Sequence, residues 1–271
     1  MFIKDVQVQL LSVTPKELIM NLYIMGRRPS KAVLAIVKKT GIPRYRGKKS
    51  RADVLVNYGL AGTHADRFYK QFPSARRIPT INKHIGHSKL SVVNRAGKEG
   101  IRVPESKLKL GFRDRAKNFI EKRTNSIGGI GIKQATHKKP IPGKYYQEFI
   151  KDRIYELRVH AFKWTDDWAV QKRVGPADSI AWNFKQGGHF ITVGNPGGFK
   201  VFREAREISD QILDMLDMAF GAVDFIVDGD HNVYFIEINS APGFTELSEH
   251  IYVGAFNELK DLSSKQFAKL T

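Results

Sequence analysis

The stretch from residue 223 to residue 245 constrains the fold of this chain most, and it reads VDFIVDGDHNVYFIEINSAPGFT. Two apolar runs flank the sequence DGDHN, which is typical of a turn between antiparallel strands. The pattern therefore predicts a β-hairpin. If that hairpin is symmetric about its turn, Asp228 lies opposite Val233. The same register places Asp224 opposite Glu237.

Three oxygen-bearing side chains of this hairpin are expected on one face. Glu237 and Asn239 are two residues apart in a strand, so both side chains leave the same side. Asp224 joins them through the register, whereas Ile236 and Ile238 point the other way, into a core. Two carboxylates that converge without a cation repel each other, while with Mg²⁺ they and the amide oxygen form a hard-oxygen site. The alternative is a hairpin whose outer face is simply polar and solvated.

The remaining sequence indicates a mixed α/β chain with mainly antiparallel pairing in its second half. Segments typical of helices fall within 15–25, 30–40, 64–72, 86–100 and 203–220. Segments typical of strands fall at 54–58, 119–122, 145–150, 155–162, 223–227 and 233–239.

The positive charge of the chain is concentrated in its first half. The net charge is +18, and hydrophobic residues make up 42%, as in a globular protein. Residues 1–140 carry 31 Lys and Arg against 8 Asp and Glu, whereas residues 141–271 carry 14 against 19. This asymmetry predicts that the first half faces an anion, whether nucleic acid, an acidic polypeptide or nucleotide phosphates. A basic surface that only confers solubility is the open alternative.

Cysteine is absent, which excludes disulfides, thiolate nucleophiles and Cys-ligated zinc. The longest apolar run is too short to cross a bilayer, so no membrane partner is expected. Lys4 and Asp5 stand where a signal peptide needs an apolar stretch. We therefore expect a cytoplasmic protein.

A glycine-rich segment, TNSIGGIGI at 124–132, follows Lys122 at the end of a short strand. Glycines let backbone N–H groups approach a phosphate closely, and the lysine adds a point charge. The spacing is that of neither a P-loop nor a Rossmann fingerprint. An ordinary hairpin loop is the alternative interpretation.

The string Asp224-(12 residues)-Glu237-Ile238-Asn239-Ser240-Ala241-Pro242-Gly243 resembles the magnesium-binding end of ATP-grasp ligases. In that family an Asp on one strand precedes E-x-N-x-x-P-G on the next. The resemblance implies an α/β (α+β) ATP-grasp fold, in which two α+β lobes clasp ATP behind a small Rossmann-like N-terminal lobe. It implies a basic N-terminal lobe at 1–84 and an ATP-grasp domain at 85–271. The latter would divide into a central lobe at about 85–146 and a C-terminal lobe at about 147–271.

The resemblance also implies a nucleotide site. Asp224, Glu237 and Asn239 would hold two Mg²⁺ ions, with Mn²⁺ as a substitute, that bridge the phosphates of ATP. The glycine loop would close over the triphosphate and exclude water. The segment 147–150 would read the adenine edge through its backbone, and Glu156 would bind ribose. The implied nucleotide-binding residues are Lys89, Lys122, Ser126, Gly128, Gly129, Gly131, Gln147, Glu148, Phe149, Ile150 and Glu156.

Two further strings, YELR at 155–158 and the later KR and NFKQGG, resemble the ribosomal-protein glutamate ligase (RimK-like) branch. The catalytic residues that this resemblance implies are Arg158, Lys172, Arg173 and Asn183. Arg158 and Arg173, with Lys172 sharing the task, would steady negative charge on the transferring phosphate or on a tetrahedral intermediate. Asn183 would line the substrate or phosphate side. Lys172 stands where the branch commonly has arginine, and Ala181-Trp182 replaces a more polar stretch, which leaves the substrate open.

The implied function is an ATP- and Mg-dependent carboxylate–amine ligase that forms an amide or peptide bond through an acyl-phosphate. Its substrates would be a carboxylate and an amine, one of them on an acidic peptide or protein, and homo-oligomers are common in the family. The alternative is a nucleic-acid-binding protein on an ATP-grasp scaffold, either non-catalytic or acting on a nucleic-acid-bound substrate. Basic segments at 44–51, 76–77 and 113–117 would then contact phosphates.

Overall fold

The computed structural model describes residues 20–27, 30–112, 114, 118–124, 131–136, 139–176, 179–182, 187–193 and 196–271. Within these residues the strands form three sheets, one parallel and two antiparallel. The predicted mixed α/β architecture, with antiparallel pairing in the second half, is confirmed.

The N-terminal sheet is parallel, with its strands in chain order. Its elements are β1 (Leu22–Gly26), α1 (Lys31–Thr40), β2 (Val54–Tyr58), α2 (Gly62–Gln71) and β3 (Thr80–Ile81). The helix predicted within 15–25 is wrong at its end, because β1 occupies those positions. A buried parallel strand reads as a short unbroken apolar run, which a helix shares.

The central sheet has the strand order β4-β7-β5-β6, and every described pairing in it is antiparallel. A helix precedes it in the chain. The elements are α3 (Lys89–Lys98), β4 (Ser106–Lys107), β5 (Phe119–Arg123), β6 (Lys133–Gln134) and β7 (Lys144–Glu148).

The C-terminal sheet is the largest, and its five antiparallel strands follow the order β10-β9-β8-β11-β12. Two helices follow it in the chain. The elements are β8 (Arg153–Phe162), β9 (Ala169–Val174), β10 (His189–Thr192), α4 (Lys200–Met215), β11 (Phe220–Asp228), β12 (Val233–Asn239), α5 (Glu246–Lys260) and α6 (Ser264–Ala268).

Helix α4 covers one face of the C-terminal sheet. Its buried Ile212 and Leu213 belong to the same core as Leu157 and Val223 of the sheet. Glu156 and Arg158, which alternate with Leu157 along β8, therefore point to the opposite face. The helix ends earlier than the predicted 203–220, because the chain turns before β11. Among the described residues, no helix combines the length and the apolar character that crossing a bilayer needs.

The N-terminal sheet is joined to the C-terminal lobe by a second core. Ile24, Ile36 and Val56 of the N-terminal lobe pack with Tyr252 and Phe256 of α5. Because these side chains are all fully buried, the two lobes are held together by apolar contact rather than by a linker alone. The N-terminal sheet therefore has a fixed position beside the C-terminal sheet.

Candidate active site

The hairpin of β11 and β12 contains a one-residue irregularity that the sequence did not indicate. Val227 lies opposite Val233, whereas Asp224 lies opposite Glu237, because the register shifts between Asp224 and Phe225. The predicted pairing of Asp228 with Val233 is thus wrong by one residue. The predicted pairing of Asp224 with Glu237 is confirmed, since the extra residue of a β-bulge restores it.

The extra residue is Ile236, which has no partner across the hairpin. A bulge turns the extra side chain out of the strict alternation. Ile236 consequently lines a cleft with Glu237 and Asn239 instead of entering the core as predicted. Ile238 does pack against the core as expected.

The cleft has a volume of ≈ 320 Å³ and is lined by both the central and the C-terminal sheets. Most of the described residues that the resemblance assigned to nucleotide, metal or catalysis meet there. They are Lys89, Lys122, Gln147, Glu148, Phe149, Ile150, Glu156, Arg158, Arg173, Asp224, Glu237 and Asn239.

Asp224 forms a two-bond ion pair with the guanidinium of Arg158 on the neighbouring strand. Arg158 Nε donates to Oδ1 at 2.6 Å, and a terminal nitrogen donates to Oδ2 at 2.7 Å. Arg173 approaches the same carboxylate at 3.9 Å, and Asn239 Nδ2 lies 3.4 Å from it. Burial opposes ionisation of Asp224, but the charge and hydrogen bonds of Arg158 outweigh it and hold the pKa of Asp224 below its ordinary value.

Two lysines face the other carboxylate of the hairpin. Lys89, at the start of α3, forms an ion pair with Glu237. Lys122 is 8% exposed, and its Nζ donates to Gln147 Oε1 at 2.8 Å. Burial lowers the pKa of Lys122, against the opposing field of Glu237. The cleft thus contains the desolvated amine of Lys122 near the carboxylates of Glu237 and Asp224.

The side chain of Gln147 positions Lys122 within the central sheet. Its Oε1 accepts a hydrogen bond from Lys122 Nζ, while its Nε2 donates to Ser106 Oγ at 3.0 Å. Gln147 therefore has an observed side-chain role, in addition to the backbone role that the resemblance implied for its segment.

Glu156 is shared by two arginines. Arg153 and Arg173 each place a terminal nitrogen 2.7 Å from one of its oxygens. Arg153 also donates to the carbonyl of Ser179 at 2.8 Å, and its guanidinium lies 3.8 Å from the Trp182 ring centroid. Sequence reasoning did not select Arg153, because residues three apart in a regular strand point to opposite faces. The irregularity at Ile154, which has no partner on β11, brings Arg153 to the same face as Glu156.

Aromatic rings form the cleft wall beside these arginines, and sequence reasoning did not select them. Trp182 lines the cleft, and the Phe190 ring centroid lies 4.6 Å from the Arg173 guanidinium and 5.5 Å from that of Arg158. A ring face attracts a cation and limits its hydration. These contacts hold both guanidinium groups toward the cleft.

Lys172 is not brought into the cleft. It lies opposite Leu157, whose side chain is in the core, and its Nζ is 4.2 Å from the Tyr155 ring centroid. Its neighbour Arg173 faces the cleft, because successive residues of a strand point to opposite faces. The catalytic role that the resemblance implied for Lys172 therefore has no support in its position.

Several predicted residues of the glycine-rich and NFKQGG segments lie outside the described residues, namely Ser126, Gly128, Gly129 and Asn183. Gly131 is described and has a positive φ of 79°. A Cβ atom built there would lie 3.0 Å from Arg123 Nε. Gly131 itself is not among the residues that line the cleft, whereas Ile132 is.

The oxygen donors of the hairpin fit a magnesium site in kind. Within the described part of the chain, no cluster of three or more His, Cys, Asp and Glu side chains is arranged to hold a metal ion. The available donor set is therefore two carboxylates, Asp224 and Glu237, with the amide oxygen of Asn239 completing it. Hard oxygen ligands of this kind suit Mg²⁺, which keeps further positions for phosphates.

Comparisons with known proteins agree with this geometry. The family profile described as D-ala D-ala ligase C-terminus matches residues 199–258, which include both strands of the hairpin. A D-alanine--D-alanine ligase of Paraburkholderia phymatum is 41% identical over 56 residues, which span 20% of this chain and 18% of that protein. The sequence match is thus confined to about a fifth of each protein.

Solved structures match over nearly the whole chain. A D-alanine--D-alanine ligase from Bacillus anthracis has a TM-score of 0.60 at 15% identity, with 92% of this chain and 96% of that chain covered. The ATP-grasp ligase PsnB, complexed with a minimal precursor, has a TM-score of 0.57 at 12% identity, with 89% and 98% covered. This chain has the ATP-grasp fold.

A third match is the macrocyclase MdnC of Microcystis aeruginosa, bound with the precursor peptide MdnA. Its TM-score is 0.55 at 13% identity, with 89% of this chain and 98% of that chain covered. At such identities the likeness concerns the fold, because one fold hosts many activities. What this ATP-grasp chain does must be argued from its own cleft.

Proposed function

We propose that this chain is an ATP-dependent ligase that joins a carboxylate to an amine. The observation that carries the proposal is the cleft between the central and C-terminal sheets. There Asp224, Glu237 and Asn239 converge, with Lys89 and Lys122 close by. A nucleoside triphosphate needs oxygen ligands for its divalent cation and amines for its phosphates, and the cleft has both next to each other.

Lys89 and Arg158 are proposed to exchange partners when nucleotide binds. Each now neutralises a carboxylate of the hairpin. Mg²⁺ held by Asp224, Glu237 and Asn239 would neutralise those carboxylates and the phosphates together. Lys89 and Arg158 would then be available to phosphate oxygens, with the desolvated amine of Lys122 beside them.

The segment 147–150 is proposed to bind adenine. The N–H groups of Glu148 and Phe149 already donate to the carbonyls of Glu105 at 2.8 Å and Asn118 at 2.7 Å. We therefore assign the adenine edge to the remaining backbone groups of the segment, with the apolar Ile226 and Ile236 across the cleft. Glu156 would bind ribose, while its ion pairs with Arg153 and Arg173 hold its carboxylate in place.

The reaction is proposed to proceed in two displacements. A substrate carboxylate oxygen attacks the γ-phosphorus of ATP, which releases ADP and leaves an acyl-phosphate. An amine nitrogen then attacks the carbonyl carbon, loses a proton, and expels phosphate to leave an amide. Arg158 and Arg173 would stabilise the charge that develops on the phosphate and on the tetrahedral carbon. No nucleophile of the protein is required.

The amine or carboxylate substrate is proposed to be an amino acid or peptide. Solved structures of similar fold include D-alanine--D-alanine ligases and enzymes bound to precursor peptides. The ribosomal-protein glutamate ligase branch, the number of Mg²⁺ ions, the use of Mn²⁺, the homo-oligomeric state and the cytoplasmic location stay predictions from sequence.

The test is ADP release from ATP and Mg²⁺ in the presence of pooled amino acids and short peptides. We expect ADP only when a carboxylate and an amine substrate are both present, with a new amide detectable by mass spectrometry. Glu237→Gln should abolish both, whereas Glu99→Gln, an exposed residue at the end of α3, should leave them unchanged. ADP formation that does not depend on the carboxylate or on the amine would contradict the ligase proposal.

A further inference from the structure

A second cavity lies in the N-terminal lobe, at the carboxyl ends of β1 and β2. It has a volume of ≈ 250 Å³ and is bordered by Arg27, Arg44, His64 and Arg67. We name it the N-lobe pocket. The described residues that line it include no Asp or Glu. Arg27 and Arg67 therefore have no carboxylate beside them among the described lining residues.

Helix α2 forms one wall of the N-lobe pocket. His64, Arg67, Phe68 and Gln71 are spaced by three, four and seven residues, which places them on one helix face. Asp66, the acidic residue of this helix, is not among the pocket-lining residues. The face of α2 toward the pocket thus contributes positive charge.

The floor of the N-lobe pocket is aromatic and closely packed. The Tyr45 ring is buried, with its centroid 6.1 Å from that of Phe68 and 5.7 Å from that of Phe72. Arg44 is anchored at the edge, where it donates to the carbonyls of Gly26 at 3.0 Å and Arg27 at 3.1 Å. Guanidinium groups beside a low-dielectric floor bind an anion more strongly than the same groups in open water.

The N-lobe pocket adjoins the cleft. Leu60 lines the pocket, and its neighbour Gly59 touches Ala241, which lines the cleft. A Cβ atom at Gly59 would lie 2.3 Å from that of Ala241, so only glycine allows this approach. The Tyr58 hydroxyl also donates to the carbonyl of Pro242 at 2.9 Å. The linings of the two cavities are therefore in direct contact through Gly59 and Ala241.

We propose that the N-lobe pocket binds an acidic side chain or the terminal carboxylate of a peptide substrate whose reacting group lies in the cleft. The inference rests on the proposed ligase function. Guanidinium groups match carboxylates in a planar, two-bond geometry. A nucleic acid would need a long groove with exposed rings for base stacking. Here the Phe72 ring packs edge-on against the rings of Tyr45 and Phe68 within a compact pocket.

The experiment measures the binding of a fluorescent tetraglutamate peptide to the full chain by anisotropy. The test variant is Arg27→Gln with Arg67→Gln, both exposed. The control is Arg51→Gln with Arg77→Gln, also exposed in the same lobe and outside the pocket. Both carry the same net charge, so they separate local contacts from the general field of the lobe.

We expect the pocket variant to raise the Kd for the peptide at least about tenfold and the control variant less than about twofold. An equal loss in both variants would overturn the inference. So would a single-stranded oligonucleotide that binds through Arg27 and Arg67 more tightly than the peptide does.

A separate measurement of Mg²⁺–ADP binding distinguishes this inference from the proposed function. We expect all variants to bind Mg²⁺–ADP as the parent chain does, since neither pair of arginines lines the cleft. Failure of the parent chain to bind Mg²⁺–ADP would contradict the ligase. The peptide measurement alone decides on the pocket.

Discussion

The cleft and the N-lobe pocket are both rich in arginine, but they differ in whether acidic side chains accompany the arginines. In the cleft, Arg158 is paired with Asp224, and Arg173 is paired with Glu156. In the N-lobe pocket, Arg27 and Arg67 face no acidic side chain among the described lining residues. Ion pairs within the cleft fix the orientation of its arginines before a ligand binds. Arginines without an acidic partner instead attract an anionic ligand.

This contrast suits a division of work between the lobes. Internal pairing in the cleft keeps charged groups oriented in a partly buried place, where an unpaired charge would be costly. Exposed, unpaired arginines hold no such order, but they steer anions from a distance. Four substitutions test this difference between the cleft and the N-lobe pocket.

The largest effect is expected from Asp224→Ala. We expect ADP release to fall on the order of 10³-fold, since a proposed metal ligand is lost with the group that orients Arg158. The free energy of unfolding should also fall by about 3 kcal/mol, because Arg158 would remain partly buried without its carboxylate. Asp214→Ala, whose side chain is 73% exposed, is the control for urea denaturation. An active and stable Asp224→Ala protein would show that the ion pair of Asp224 with Arg158 is not needed for the cleft.

The next largest effect is expected from Lys122→Met. Activity should fall about 10²-fold through the loss of the charge that we propose binds phosphate, with Lys98→Met on α3 as the exposed control. Stability should not fall, because burial lowers the pKa of Lys122 and so makes its charged form unfavourable in the folded state.

The sign of the pH dependence of Lys122 follows from linkage. The folded pKa lies below the unfolded one, so between them the unfolded state binds more protons and stability rises with pH. The penalty is fully present below the folded pKa. Lys122→Met should remove this rise, which urea titrations at several alkaline pH values would measure. An unchanged rise in the variant would assign it to another group.

A smaller effect, on stability alone, is expected at His160 behind the cleft. Burial lowers the pKa of His160 from 6.5 to about 4, and its Nε2 lies 3.1 Å from Gln171 Oε1. Its neutral form is favoured in the folded state, so its contribution is present above pH 6.5 and is lost as the pH falls toward about 4. His160→Gln should reduce this acid-side loss by at most about 3 kcal/mol.

The acid-side measurement needs a matched histidine. His64→Gln changes an exposed residue of α2 and should leave the acid dependence of unfolding as it is in the parent chain. An equal change in the two variants would show that burial of His160 does not cause the loss.

The smallest effect is expected from Lys172→Met. Activity should stay within about twofold of the parent, because Lys172 points to the sheet face opposite the cleft. Arg173→Met, one residue along the same strand, should lower it by far more. A large loss with Lys172→Met would favour the catalytic role that the family resemblance implied.

The hairpin was largely predictable from sequence, because a strand repeats every two residues and its turn is short. That local rule placed Glu237 beside Asn239 and opposite Asp224, as the structure confirms. The bulge at Ile236 was not predictable, since one extra apolar residue leaves the pattern of the strand looking regular. The same local rule does not say which sheet face a neighbouring helix covers, and so it left Lys172 unplaced.

The contacts that complete the cleft join residues far apart in the chain. Lys89 pairs with Glu237, and Lys122 pairs with Gln147. No periodicity reports such pairs, although the family resemblance grouped these residues. Arg153 and Trp182 carried no motif at all, so only the folded structure shows their stacking.

The sequence by itself determined the α/β class, the oxygen-bearing hairpin face and the charge difference between the halves of the chain. These features depend on local backbone geometry and on composition, which residues carry with them in any fold. The tertiary structure decided which charges are compensated and that the N-lobe pocket adjoins the cleft through Gly59. Those features depend on how α1 packs against α5 and on the close approach of Gly59 to Ala241. Both are contacts between residues far apart in the chain.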